Sequence, residues 1–190
     1  MILSPINILE ASTIISTLLY NYFLIKQKKI CWLFGFLSSV FGAIIFNHKE
    51  VNGQVVLHVF YAVMAIYGWY VWQKNNTTKP LQTWNSTQQT ISLLVGVLAV
   101  LALHQFLLPV WQIKATLFDV AITVFCFIAT YKEAQKIVTA WIYWIVLNFA
   151  SAILCWESEL FLYAALMLVY TAISVNGYLI WKKELKKQHL

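Results

Sequence analysis

The sequence predicts an all-α integral membrane protein with seven transmembrane helices in a 3+1+3 parallel repeat, the N-terminus outside and the C-terminus cytoplasmic. Three observations predict it. Of 190 residues, 61% are hydrophobic and only 11% are charged, whereas a soluble domain averages about 45–50% apolar and about 25% charged residues. Eleven of the 13 basic residues fall on one side of a seven-span threading. An offset of 109 residues lays the first part of the chain onto the last and pairs rare residue types. The composition excludes a soluble enzyme, a disordered chain and a disulfide scaffold.

The first span opens within MILSPINILE. That stretch has no basic leader and carries Glu10 early, so it reads as a span and not as a cleaved signal. Pro5 suits a first helical turn, and Lys26, Lys28 and Lys29 close the run after Ile25. Further spans follow at roughly 30–46, 51–73, 89–108, 113–131, 137–156 and 159–181, each near the ~20 apolar residues that cross ~30 Å of hydrocarbon. The expected organisation is a first three-helix unit at 1–73, a cytoplasmic linker at 74–88 and a linking helix at 89–108. A second three-helix unit at 113–181 and a basic tail at 182–190 complete it.

Seven spans put the termini on opposite sides, and the lysines set the orientation. Lys26, Lys28, Lys29, Lys74, Lys79, Lys132, Lys136, Lys182, Lys183, Lys186 and Lys187 share one side, and only Lys49 and Lys114 take the other. By the positive-inside rule the eleven are cytoplasmic. All basic residues are Lys, and the absence of Arg, the residue that grips phosphates and bases bidentately, removes nucleic acid as a partner. Cys31, Cys126 and Cys155 stand singly in apolar runs without metal or disulfide spacing. The expectation is no metal, no cofactor and no catalytic constellation.

The offset of 109 pairs Glu10 with Asp119, Trp32 with Trp141, Tyr61 with Tyr170, Gly68 with Gly177 and Trp72 with Trp181. A three-helix unit repeated around a single extra crossing gives both copies the same orientation. Parallel repeats of this kind are one design of small-solute carriers, with the substrate site near the midplane between the halves. Interfacial Trp belts account for Trp72 and Trp181, beside Lys74 and Lys182. They account poorly for the pairing of Glu10 with Asp119.

Ionisable and polar groups at membrane depth mark functional candidates. Asp119 lies in the fifth span with Thr116 and Thr123 on its face, and Glu10, Thr13, Thr17 and Asn21 form a similar stripe in the first. Both acids have a competing packing or helix-bridging role. In the sixth span Trp141, Trp144 and Asn148 recur at i, i+3 and i+7, within about 60° of one another. In the third, His58, Tyr61, Trp69 and Trp72 share a face. Trp faces attract weakly hydrated cations, flat rings add offset stacking, and an amide with a His or Tyr orients the guest. The chemistry points to a small, flat, cationic heteroaromatic.

The segment YGWYVW (Tyr67 to Trp72), the WxxW-xxx-N of Trp141, Trp144 and Asn148, and the closing GYLIWKK (Gly177 to Lys183) resemble the PnuC family of vitamin transporters over nearly the whole chain. The resemblance implies a SWEET-like fold and passive carriage of nicotinamide riboside, with thiamine as the alternative cargo and phosphorylation by a cytoplasmic kinase as the trap. It also implies a multi-pass protein of the bacterial inner membrane, with a homotrimer as the assembly seen in several members. Trp141, Trp144 and Asn148 carry over as substrate-contacting positions. Where nicotinamide riboside carriers tend to have Gln in an LQ-aromatic segment, this chain has His58 in Leu57-His58-Val59-Phe60-Tyr61. A vitamin-binding subunit that does not transport is the reading from another class, and ion coupling through Asp119 or Glu10 is a third.

Overall fold

The computed structural model describes residues 5–49, 52–74, 80–107, 116–157 and 159–188. Among them every regular element is a helix, and one isolated bridge links Gln82 with Ile137. The helices are α1 (Pro5–Ile25), α2 (Cys31–His48), α3 (Asn52–Lys74), α4 (Ser86–Ala102), α5 (Leu117–Ala134), α6 (Ala140–Glu157) and α7 (Phe161–Gln188). A π-helical turn, Leu103–Leu107, prolongs α4. Lys79, Lys114 and the expected start of the fifth span at 113 lie outside the described residues.

Six of these helices are long and apolar enough to cross a membrane. The exception is α5, whose 18 residues include Asp119, Lys132 and Glu133. Large apolar side chains point outward from the helices, from Leu98 on α4 to Leu162 on α7, which is 87% exposed. Bare apolar faces of this extent are unfavourable in water and suit lipid. The protein is a multi-pass membrane protein.

Local chemistry sets the ends of the elements. Asn85 caps α4 by accepting from the Gln88 N–H, while the Gln88 side chain accepts from the Asn85 N–H. This reciprocal cap starts α4 at Ser86, three residues before the expected 89, and shortens the linker. Gln27, Lys136 and Glu159 have φ of 55°, 57° and 61°. Each sits just past a helix end where two backbone hydrogen bonds close the turn, as in Gln27 N to Leu24 O and Lys28 N to Phe23 O, both 2.9 Å. These are Schellman motifs made without glycine, at some cost in left-handed strain. The basic end of the chain is not a separate tail: α7 runs through it to Gln188, with Lys187 paired to Glu184 at 2.9 Å. Lysines in a last helical turn complement the helix dipole and favour that extension.

The chain folds as two compact units, Met1–Lys79 and Pro80–Leu190. In the first, α2 packs against both α1 and α3; in the second, α6 packs against α5 and α7, and α4 joins α5. The offset of 109 carries the bounds of α2 onto those of α6, the end of α1 onto the end of α5, and the start of α3 onto the start of α7. It also carries the left-handed Gln27 onto the left-handed Lys136.

The same contact recurs in each unit. Trp32 of α2 lies on Gly68 of α3 and meets Trp72 edge-on, with centroids 5.5 Å apart and planes at 88°. Trp141 of α6 lies on Gly177 of α7 and meets Trp181 at 5.4 Å and 90°. A side chain on Gly68 or Gly177 would run into the indole. Small residues of this kind let helices approach closely where no hydrophobic force drives them together.

In the second unit the segment before α4 straps the α5–α6 turn. Gln82 N donates to Lys136 O at 3.0 Å, and Val138 N donates to Gln82 O at 2.9 Å. Beneath it Lys132, 0% exposed, donates to Gln89 Oε1 at 2.7 Å. Its ammonium stands 3.8 Å from the Tyr143 ring centroid and 4.6 Å from that of Trp84. A buried cation needs such partners to offset its lost hydration.

Candidate functional site

The α6 candidates come out in three different situations. Trp141 is 1% exposed, locked between Gly177 and Trp181, and its Nε1–H has no hydrogen-bond partner among the described residues. Trp144 is half-buried, and its Nε1–H is also buried without a partner. Asn148 donates from Nδ2 to Ser174 Oγ of α7 at 3.2 Å, and Ser174 donates to Tyr170 O at 2.8 Å. An unsatisfied buried donor costs about 1–3 kcal/mol, so two of them on one helix face are groups in want of an acceptor. The stripe therefore combines one half-buried indole, Trp144, with an unpartnered N–H, one oriented amide, and a fully buried Trp141 whose orphan N–H recurs at Trp32 of α2.

In the first unit His58 stacks on Phe46 with centroids 5.2 Å apart at 26°, and meets Tyr61 edge-on at 6.0 Å and 89°. Its ring lies against Gly42, where a side chain would collide with it. His58 Nδ1 is buried without a partner among the described residues. His58 and Tyr61 form one cluster. Trp69, eleven residues beyond His58, is ~16 Å further along the helix at 1.5 Å per residue. There Lys29 lies 5.2 Å from its ring centroid, so Trp69 stands apart from that cluster, at the α1–α2 turn.

Asp119 is the third residue of α5 and completes a capping box with Thr116. Its Oδ2 accepts from Thr116 N at 3.0 Å and from Thr116 Oγ1 at 2.6 Å, while Thr116 Oγ1 accepts from Asp119 N at 3.1 Å. Glu10, 109 residues earlier, is ion-paired with Lys49 at 2.7 Å. Each acid thus has a structural partner of its own. Sequence reasoning missed Ser174, Gly42 and the Lys132 cage. The only available signal was the small residue opposite each aromatic, and nothing local reveals which helix will stand opposite.

Among the described residues no group of three or more His, Cys, Asp or Glu side chains is placed to hold a metal. The arrangement can hold a small guest by ring stacking, cation attraction and hydrogen bonds.

Comparison with known proteins identifies the family. The profile of a family described as nicotinamide mononucleotide transporter matches residues 7–183. The nicotinamide riboside transporters PnuC of Escherichia coli (strain K12) and Shigella flexneri are each 23% identical over 183 residues, covering 82% of this chain and 77% of theirs. The crystal structure of the vitamin B3 transporter PnuC superposes with a TM-score of 0.77 at 21% identity, covering 94% of this chain and 82% of that one. Each of these relatives is named as a transporter. With nearly its whole length matched, the chain belongs to the nicotinamide mononucleotide transporter family, the PnuC family that its Trp motifs resemble.

Proposed function

We propose that this protein carries nicotinamide riboside across the bacterial cytoplasmic membrane by facilitated diffusion. The observation that carries the reading is the α6 face, where the half-buried Trp144, its N–H without a partner among the described residues, and an oriented Asn148 stand beside the buried Trp141. A pyridinium cation suits ring faces, and a ribosyl hydroxyl or carboxamide oxygen suits unused N–H groups. Within the first unit His58 and Tyr61 form a cluster of their own that suits the same guest, with His58 at the position where the resembling riboside carriers tend to have glutamine. Trp69 and Asp119 are outlying candidates in this reading, since Lys29 and Thr116 already engage them.

The riboside is favoured over its phosphorylated form because none of these seven residues is a cation that would pair with phosphate. The buried Lys132 is committed to Gln89, Trp84 and Tyr143. The matched helix bounds support a parallel 3+1+3 repeat, and the eleven-to-two lysine bias supports an external N-terminus. In this reading the two three-helix units rock to alternate access, a cytoplasmic kinase traps the cargo, and copies assemble as a homotrimer.

Proteoliposomes loaded with a nicotinamide riboside kinase and ATP test it. Labelled riboside accumulates inside, while thiamine does not accumulate in parallel vesicles loaded with a thiamine kinase and nicotinamide mononucleotide does not enter kinase-free vesicles. Tight binding without accumulation would make the chain a binding subunit instead. Accumulation of the mononucleotide in kinase-free vesicles would overturn the cargo assignment.

A further inference from the structure

We infer that Ser174 is a positioning residue that decides which end of the Asn148 amide is offered to the cargo, and thereby selects a cargo that donates an N–H. The inference rests on the riboside reading above. A serine hydroxyl holds one hydrogen and two lone pairs. Ser174 is 3% exposed in α7, and that one hydrogen goes to the Tyr170 carbonyl one turn back, at 2.8 Å. Toward Asn148 its Oγ can therefore only accept.

The amide must then present Nδ2 to Ser174, as it does at 3.2 Å. Oδ1, at the other corner of the planar group, is turned away from Ser174 and makes no hydrogen bond among the described residues. The open end of Asn148 is thus an acceptor. Without Ser174 an amide turns over freely and offers acceptor or donor as the guest demands.

The Asn148–Ser174 pair has no counterpart at the matching positions of the first unit. At the positions 109 residues earlier the first unit has Ser39 and Ala65, and Ser39 bonds only within its own helix, to Gly35 O at 2.7 Å. At these matched positions only the second unit has an amide facing a hydroxyl.

A fixed acceptor distinguishes a carboxamide from a carboxylate. The carboxamide of nicotinamide riboside donates an N–H to Oδ1. The carboxylate of nicotinic acid riboside has no hydrogen to donate, and its charge repels the Oδ1 dipole.

The test is a tryptophan-quenching titration of the purified full-length chain with both ribosides, for the wild type, Ser174→Ala and Ser174→Cys. Cysteine is the second variant because it keeps volume at the buried position while its thiol is a weak acceptor. The wild type is expected to prefer the carboxamide by about tenfold or more, the scale of one well-made hydrogen bond against none. In both variants nicotinamide riboside still binds, and the preference falls by about fivefold or more. A ratio unchanged in a variant that still binds nicotinamide riboside overturns the inference and leaves the proposed function standing. A wild type that binds neither riboside overturns both.

Discussion

Gly177→Ala and Gly68→Ala make the same physical change in two places, and their comparison separates packing from binding. A Cβ built at Gly177 lies 2.6 Å from Trp141 Cζ3 and 2.7 Å from two further ring atoms. Ordinary carbon contacts are about 3.5–4.0 Å, so the indole or the α6–α7 interface must give by about 1 Å. Trp141 has no empty space to retreat into, because Trp181 stands edge-on beside it. Overpacking of this kind costs about 1–3 kcal/mol. At Gly68 the obstruction is Trp32, held by Trp72 in the same way, and the loss of stability is of similar size. The two variants then diverge in binding. Displacing Trp141 moves the α6 face that carries Trp144 and forfeits part of the cation–π contact of that half-buried ring, worth about 1–2 kcal/mol, which weakens nicotinamide riboside binding roughly three- to tenfold. Displacing Trp32 leaves affinity within about twofold, on that same scale. Thermal unfolding in detergent by intrinsic fluorescence reads the first effect, and riboside titration reads the second. Equal weakening by both variants would show that binding follows packing in general, and that Trp141 holds no special place. An unfolding midpoint left untouched by Gly177→Ala would refute the packing calculation itself.

Trp144→Ala should weaken the riboside about tenfold or more with little change in the unfolding midpoint, because its indole N–H has no partner to lose; undiminished affinity by fluorescence titration would remove the aromatic wall from the mechanism. Glu10→Gln breaks a pair whose side chains are 43% and 37% exposed, which is worth about 0–1 kcal/mol. Liposome uptake should persist and ignore an imposed proton gradient, whereas lost uptake would make Glu10 an ion-coupling group. Asp119→Ala removes the acceptor of the α5 capping box and should cost about 1 kcal/mol of stability while riboside affinity holds; a collapse of affinity would make this carboxylate a cargo contact. Gln82→Pro deletes the N–H that binds Lys136 O, and amide exchange at Val138 should rise by about tenfold, the loss of one hydrogen bond. Protection of Val138 equal to the wild type would mean that the strap is held by the Lys132 cage and not by its backbone.

Much of the fold was legible because bilayer physics acts on composition and length. Each span had to read as a long apolar run, and the observed helices fall where those runs lie. The discrepancies sit at ends, where local chemistry overrides hydropathy. Asn85 and Gln88 started α4 early, and the lysines expected in a tail extended α7. The Trp141, Trp144 and Asn148 stripe was equally visible, since three residues at i, i+3 and i+7 share a face wherever the helix goes. The fate of each side chain was not, because that depends on the helix opposite.

By itself the amino-acid sequence determined the number and type of elements, the lysine bias, the 109-residue correspondence and the aromatic face of α6. These follow from periodicity, charge and length, which act along one chain segment at a time. Only the tertiary structure decided that Trp141 is seated on Gly177, that Ser174 turns the Asn148 amide, that Asp119 caps its own helix, and that Lys132 is caged by Trp84 and Tyr143. Two of these partners come from a neighbouring helix, and Lys132 is held by the strap, α4 and α6. A hydrogen bond or ring contact exists only at a few ångströms, a distance that the packing of elements sets and no local sequence pattern encodes.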